Sequence, residues 1–226
     1  ENPENVTVEK MRFYRELGIN RISIGVQSFN DERLKAIGRE HSAKDALDAI
    51  ENTLKAGFDN VTIDLMYDLP NQTTKEWEES VKIASTLNIA HISLYNLVFE
   101  PGALYYKDRH AIKQLMPSSD DSCHMLKYAI NSFEDAGFHR YEISAFAKEG
   151  FKAKHNTSYW RADPFIGVGP SAFSYYDGAR FRNSSHLTKW QSEIEAGREP
   201  IDFEESLPYP NNVRELFVIR LRLLEG

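Results

Sequence analysis

Arg21-Ile22-Ser23-Ile24-Gly25-Val26-Gln27-Ser28 is the stretch that decides the architecture. The run from Arg21 to Val26 is short, apolar and β-branched, and it reads as a buried strand. Helical patterns flank it on both sides. Upstream, Thr7 opens a helix with Val8, Met11, Tyr14 and Leu17 at helical spacing, and Gly18 stops it. Downstream, Ser42 with Asp45 makes a capping box for a helix through Ala43, Ala46, Leu47, Ile50 and Leu54, ending at Gly57.

The alternation then repeats. Val61-Thr62-Ile63-Asp64-Leu65 is a second strand. Thr73 and Glu76 cap a third helix through Trp77, Val81, Ala84 and Leu87. His91-Ile92-Ser93-Leu94-Tyr95 is the third strand. Strands alternating with helices predict a parallel sheet wrapped by helices, and both an open sheet and a barrel satisfy that pattern. Polar residues at or just past the end of every strand favour the barrel, whose sites lie on the strands' C-terminal face. They are Gln27 and Ser28, then Asp64 and Asp68, then Tyr95, Asn96 and Glu100.

Further on, a helix is expected over 120–136, with Gly137 ending it, and Tyr141–Phe146 reads as another strand. The character then changes. Residues 150–184 are rich in glycine, aromatics and asparagine, and Asp177-Gly178 marks a hairpin turn between 172–176 and 179–182. Helices around 187–196 and 213–224 close the chain. Two domains are expected, 1–148 holding barrel and 149–226 holding a hairpin with helices.

Composition limits the function. The 226 residues are 41% hydrophobic and carry a formal net charge of -7, an acidic balance that repels nucleic-acid phosphates. Basic residues are interspersed with acidic ones, so membrane contact is at most peripheral, and no run is long enough to span a bilayer. One cysteine, Cys123, excludes an internal disulfide and a cysteine-held cluster or structural zinc built from this chain alone, and points to the cytoplasm.

Several residues ask for a chemical explanation. Gln27 leaves a buried strand where its amide either fixes a polar ligand or caps the next turn. Arg39 either clamps a carboxylate in two hydrogen bonds or is a solvated charge. Asp64 interrupts an apolar strand, and an unpaired buried carboxylate costs several kcal/mol unless a ligand or a cation satisfies it. His155-Asn156 with Tyr159-Trp160 suits a flat aromatic ligand with His155 toward iron, or else buries its rings against the core. Gly167-Val168-Gly169-Pro170-Ser171 is a weak candidate for a backbone anion nest.

Taken in order, these segments resemble the HemN/HemW group of radical S-adenosylmethionine proteins. The resemblance rests on Asn20–Phe29, Leu34, Ile37-Gly38-Arg39-Glu40-His41, Asp64–Thr73, His91–Tyr95, Tyr141–Ser144, His155-Asn156-x-x-Tyr159-Trp160 and Gly167-x-Gly169-x-Ser171-Ala172. It implies an α/β fold, a partial (β/α) TIM-like barrel with a small α-rich C-terminal region. It also implies S-adenosylmethionine and a [4Fe-4S] cluster at the barrel mouth. The cluster's CxxxCxxC loop, a GGGTP strand end and the first strands are expected before residue 1, and more chain after the last helix.

By the resemblance, Gln27, Arg39 and Asp64 contact S-adenosylmethionine, with backbone or apolar contacts from Val98 and Phe173. Glu1 corresponds to the family's glutamate before Asn-Pro, although here it directly abuts Asn2-Pro3. Asp68 and Asn71 stand where glycines are usual, and Phe173 where many HemW-like proteins have histidine. Two functions follow within the family: a heme chaperone with His155 as heme ligand, delivering to an acceptor protein, or an oxygen-independent oxidase decarboxylating coproporphyrinogen III. The HNxxYW segment and the Gln27-Ser28-Phe29 strand end resemble the chaperone type.

Overall fold

The computed structural model describes residues 1–99 and 106–225. The chain divides into two compact units, Glu1–Lys152 and Ala153–Gly226.

In the first unit a 3-10 turn (Pro3–Asn5) precedes α1 (Val8–Glu16), β1 (Ile22–Gln27), α2 (Asp31–Ala36), α3 (Ala43–Lys55), β2 (Val61–Tyr67), α4 (Thr74–Thr86) and β3 (His91–Asn96). After them come α5 (Arg109–Lys113), α6 (Ser119–Asp135), β4 (His139–Glu142) and β5 (Ala145–Ala147). Both anticipated capping boxes form: the Ser42 hydroxyl accepts from the Asp45 amide and the Thr73 hydroxyl from the Glu76 amide, while each acid returns the bond. Each satisfies amides that a helix start leaves without partners.

The sheet runs β1-β2-β3-β5-β4. β1, β2 and β3 are parallel, with Ile24 beside Ile63 and Asp64 beside Ser93. Odd and even residues face opposite sides of a strand. Ile22, Ile24, Val26, Val61, Ile63, Leu65, Ile92 and Leu94 point into the core, against Ala46, Ile50, Trp77, Val81, Met125 and Phe133 of α3, α4 and α6. Trp77 is fully buried, and its indole N–H donates to the Met125 carbonyl at 2.8 Å, tying α4 to α6. The alternate positions Ser23, Gly25, Thr62, Asp64, His91 and Ser93 are left for the other face. This is the parallel part of a TIM-like barrel, and its polar face is the barrel interior.

The lower part of that face is closed by a second polar set. His91 is buried, with Nε2 2.8 Å from the Tyr141 hydroxyl, and Arg21 donates to Asn60 Oδ1 at 3.0 Å and to the Phe151 carbonyl. Burial, and next the Arg21 charge, push His91 down to about pH 3, so it stays neutral.

One expectation is corrected here. Tyr141–Phe146 is not a single strand but two, β4 and β5, antiparallel to each other, with β5 antiparallel to β3. The chain turns at Ile143-Ser144, where Arg140 holds the Ile143 carbonyl at 2.6 Å and Leu94 donates to that of Ser144. A short apolar run carries no sign of strand direction.

The second unit contains α7 (Lys154–Trp160), a β6 (Phe173–Tyr176), β7 (Ala179–Asn183), β8 (Ile201–Ser206) meander, α8 (Leu187–Glu195) and α9 (Asn211–Arg220). Asp177 and Gly178 both have positive φ, 50° and 73°, as a tight hairpin turn requires. β8 was not foreseen: Ile201–Ser206 is nearly all polar and exposed, an edge strand without a core-facing pattern. No described helix is long and apolar enough to cross a membrane.

Candidate cofactor-binding site

At the end of β1 the register with β2 shifts between Ile24 and Gln27, and Gln27 adopts φ 65°. A bulge with a non-glycine residue in the left-handed region stores strain of order 1 kcal/mol, a feature that clusters at functional sites. Its effect is local: the buried Gln27 side chain is turned over Gly25. A Cβ on Gly25 would stand 3.1 Å from Gln27 Nε2 and 3.8 Å from both Arg39 Nη2 and the Glu1 carbonyl. The missing side chain at Gly25 is therefore part of the site.

Arg39 arrives from the loop after α2. That loop is anchored by His41, which is buried and places Nε2 3.1 Å from the Val26 carbonyl and Nδ1 3.6 Å from the Glu4 carboxylate. The Arg39 guanidinium donates to Asn2 Oδ1 at 3.0 Å. Asp64 comes from the middle of β2. Ser23 Oγ lies 3.3 and 3.4 Å from its two carboxylate oxygens, and Ser93 bonds it from the other side. Burial raises the Asp64 carboxyl above its ordinary value, opposed by Ser93, Ser23 and the Arg21 charge.

Gln27, Arg39 and Asp64 thus line one open cavity of about 490 Å³, with Glu1, Asn2, Asn5, Ser23 and Gly25. Asp64 lies on the interior face, away from the helices. Glu1 shares the cavity, but its carboxylate is engaged by Lys10 Nζ at 2.9 Å and the Tyr14 hydroxyl at 3.0 Å. Burial pushes that carboxyl up, and these two hydrogen bonds outweigh it and hold it below its ordinary value. Val98 is exposed beyond β3. Phe173 belongs to the second unit, where Arg182 stacks on it and Phe203 meets it edge-on. Glu100 lies outside the described residues.

His41, Ser23, Ser93 and Gly25 were not singled out from the sequence as site residues. For Ser23, Gly25 and Ser93 the signal was available, since strand period places them on the face that carries Asp64.

The second unit has its own cavity, about 390 Å³, lined by Tyr159, Trp160, Phe165, Tyr175, Arg180, Leu216 and neighbouring residues. The His155-Asn156-x-x-Tyr159-Trp160 segment is helix α7, not a loop. It begins at Ala153 without a side-chain cap, so no start signal marks it. His155 is exposed at the first turn, and its ring packs edge-on against Tyr159 at 4.7 Å, as Tyr159 does against Phe165 at 4.5 Å. Trp160 Nε1 is buried without a hydrogen-bond partner, and Arg222 stacks on that ring.

In Gly167–Ser171 two amides are spent internally, Gly167 N on the Ser174 hydroxyl and Ser171 N on the Ser184 carbonyl, and a Cβ on Gly167 would meet the Phe173 carbonyl oxygen at 2.1 Å. Asp68 and Asn71 have φ 59° and 56°, the backbone that makes glycine usual at such positions.

Residues 2–84 match the Radical SAM superfamily. The heme chaperone HemW of Bacillus subtilis is 38% identical over 182 residues, 80% of this chain and 48% of that protein. HemW of Lactococcus lactis is 36% identical over 225 residues, 100% of this chain and 59% of that protein. The chain belongs to the HemW/HemN family of radical SAM proteins. It spans about half the length of the curated relatives it matches. The solved coproporphyrinogen III oxidase HemN of Escherichia coli shares the fold, with TM-score 0.83 at 22% identity, over 98% of this chain and 54% of that one.

The family implies two groups that the residues treat differently. The cavity of Gly25, Gln27, Arg39 and Asp64 fits S-adenosylmethionine: a buried carboxyl for hydroxyls or ammonium, a guanidinium for a carboxylate, an amide that both donates and accepts, and a bare glycine floor. The cluster does not find its ligands here. Cys123 is the one cysteine, and no group of three metal-ligating side chains exists among the described residues.

Proposed function

We propose that this chain carries the S-adenosylmethionine-contacting part of a HemW-type heme chaperone. The observation that carries the reading is the convergence of Gln27, Arg39 and Asp64 on one cavity at the inner face of the parallel strands. Gln27 would orient the ligand through its amide, held in place by the β1 bulge. Arg39 would hold a carboxylate, and Asp64 a hydroxyl or ammonium. S-adenosylmethionine and a [4Fe-4S] cluster supply radical chemistry when bound, and the cluster's ligands come from outside these residues. Val98 and Glu1 are proposed as additional contacts.

Heme would meet α7. His155, exposed and stacked on Tyr159, is the proposed ligand to heme iron, and the aromatic cavity beside it suits an apolar macrocycle. The HNxxYW segment and the relatives named as heme chaperones support delivery of heme to an acceptor protein. The cytoplasm is the proposed site of action, on the lone exposed thiol of Cys123 and the missing disulfide.

The experiment uses the intact protein, reconstituted anaerobically with iron and sulfide. Heme is titrated by absorbance, and coproporphyrinogen III is supplied in parallel with S-adenosylmethionine and reductant. Stoichiometric heme uptake without decarboxylated product is the expected result. Product formation would instead make the protein an oxidase.

A further inference from the structure

Asp64 stands between two hydroxyls that do not belong to any ligand. Ser23 precedes it on β1 and reaches both carboxylate oxygens. Ser93 is its register partner on the neighbouring strand β3, and its hydroxyl favours the ionised carboxyl. Neither serine is needed by the core, because both sit on the face opposite the packed aliphatic residues. A hydroxyl that donates to a carboxylate favours its ionised form, and burial opposes that form.

From these contacts we propose that ligand and proton compete for Asp64 in this cavity, and that Ser23 and Ser93 are positioning residues setting the pH at which the proton wins. The inference rests on the reading of the cavity as an S-adenosylmethionine site.

The surroundings leave the two serines as the adjustable part. From just before β1, the Arg21 charge acts on Asp64, and Arg21 is fixed by Asn60 and Phe151. From β3, His91 stays neutral above about pH 3 and contributes no charge. From the N-terminal segment, the Glu1 carboxylate is bound by Lys10 and Tyr14. Arg39, from the loop before α3, is held by Asn2. Each of these charges has a partner of its own. Among the described residues, the hydroxyls set against Asp64 are those of Ser23, which donates to it, and Ser93, its register partner. A protonated Asp64 loses its charge-assisted bond to a ligand ammonium or hydroxyl, so affinity falls with pH.

The test uses the intact protein with aspartate labelled at the carboxyl carbon, and Asp64→Asn to assign the Asp64 resonance. The titration of that resonance is followed in wild type, Ser23→Ala, Ser93→Ala and Ser23→Thr. S-adenosylmethionine is titrated calorimetrically into each at several pH values. The alanine variants should move the Asp64 titration to higher pH and weaken binding about tenfold at low pH, with the difference vanishing once Asp64 is ionised in all proteins. Ser23→Thr, which keeps the hydroxyl, should behave as wild type. An unmoved Asp64 titration, or an affinity loss equal at every pH, would overturn the proposal. If wild type binds no S-adenosylmethionine while the serine variants still move the Asp64 titration, the cavity reading fails and the serine effect stands.

Discussion

His41 reaches back from the loop after α2 and sets Nε2 3.1 Å from the carbonyl oxygen of Val26, the residue before Gln27. One buried imidazole therefore ties the loop carrying Arg39 to the bulge carrying Gln27. His41→Phe should keep the ring volume and lose the bond, while the Val26 carbonyl keeps its bond from the Ser28 amide, so the cost should be about 0.5–1.5 kcal/mol. Affinity for S-adenosylmethionine should fall with it, whereas His41→Gln should recover part of both. Chemical denaturation with a parallel binding titration checks this, and equal behaviour of the two variants would remove His41 from the account.

Gly25→Ala should separate stability from binding. The added Cβ stands 3.1 Å from Gln27 Nε2, the free end of a side chain that can give way. The fold should survive with little loss, while the displaced amide weakens ligand binding by roughly tenfold. A variant that binds normally would show that the Gln27 amide has no role.

Gly167→Ala is expected to act differently. Its Cβ would fall 2.1 Å from the Phe173 backbone oxygen, and backbone cannot step aside as a side chain can. The second unit should lose about 2 kcal/mol or more, in line with overpacking elsewhere. The change is read from the melting of that unit.

His91 gives the first unit a defined acid weakness. Its native pKa is depressed to about 3 by burial and then by Arg21, below the ordinary histidine value, so the unfolded state binds a proton first. The stability it contributes is complete above about pH 6.5 and is lost as pH falls toward 3, at about 1.4 kcal/mol per pH unit. Asp64, whose native pKa is raised, works in the opposite sense: its contribution diminishes as pH rises through the carboxylate range. His91→Gln should flatten the fall in stability between pH 6.5 and 4, measured by urea denaturation across pH.

Much of this was legible in the sequence because it was local. The capping pairs Ser42/Asp45 and Thr73/Glu76, the β-branched strands and the Asp177-Gly178 turn each carry their own signature, and all formed. Asp64 was legible because a carboxylate inside an apolar strand is costly without a partner. What escaped depends on the fold. The turn at Ile143-Ser144 is fixed by the Arg140 guanidinium and by Leu94, 49 residues upstream of Ile143. β8 exists because β7 needs a partner, not because Ile201–Ser206 has a pattern. His41 has no local sign at all: its value lies in a carbonyl 15 residues away.

The most direct measurement of the central claim is the calorimetric titration of S-adenosylmethionine into the intact protein and into Gln27→Ala, Arg39→Gln and Asp64→Asn. Each side chain is assigned a charged or charge-assisted bond, and losing one should weaken binding by about 1.5–3 kcal/mol, more than tenfold. Saturable binding in wild type with losses of that size in all three variants is the expected result. Wild-type affinity retained by all three would contradict the assignment of this cavity.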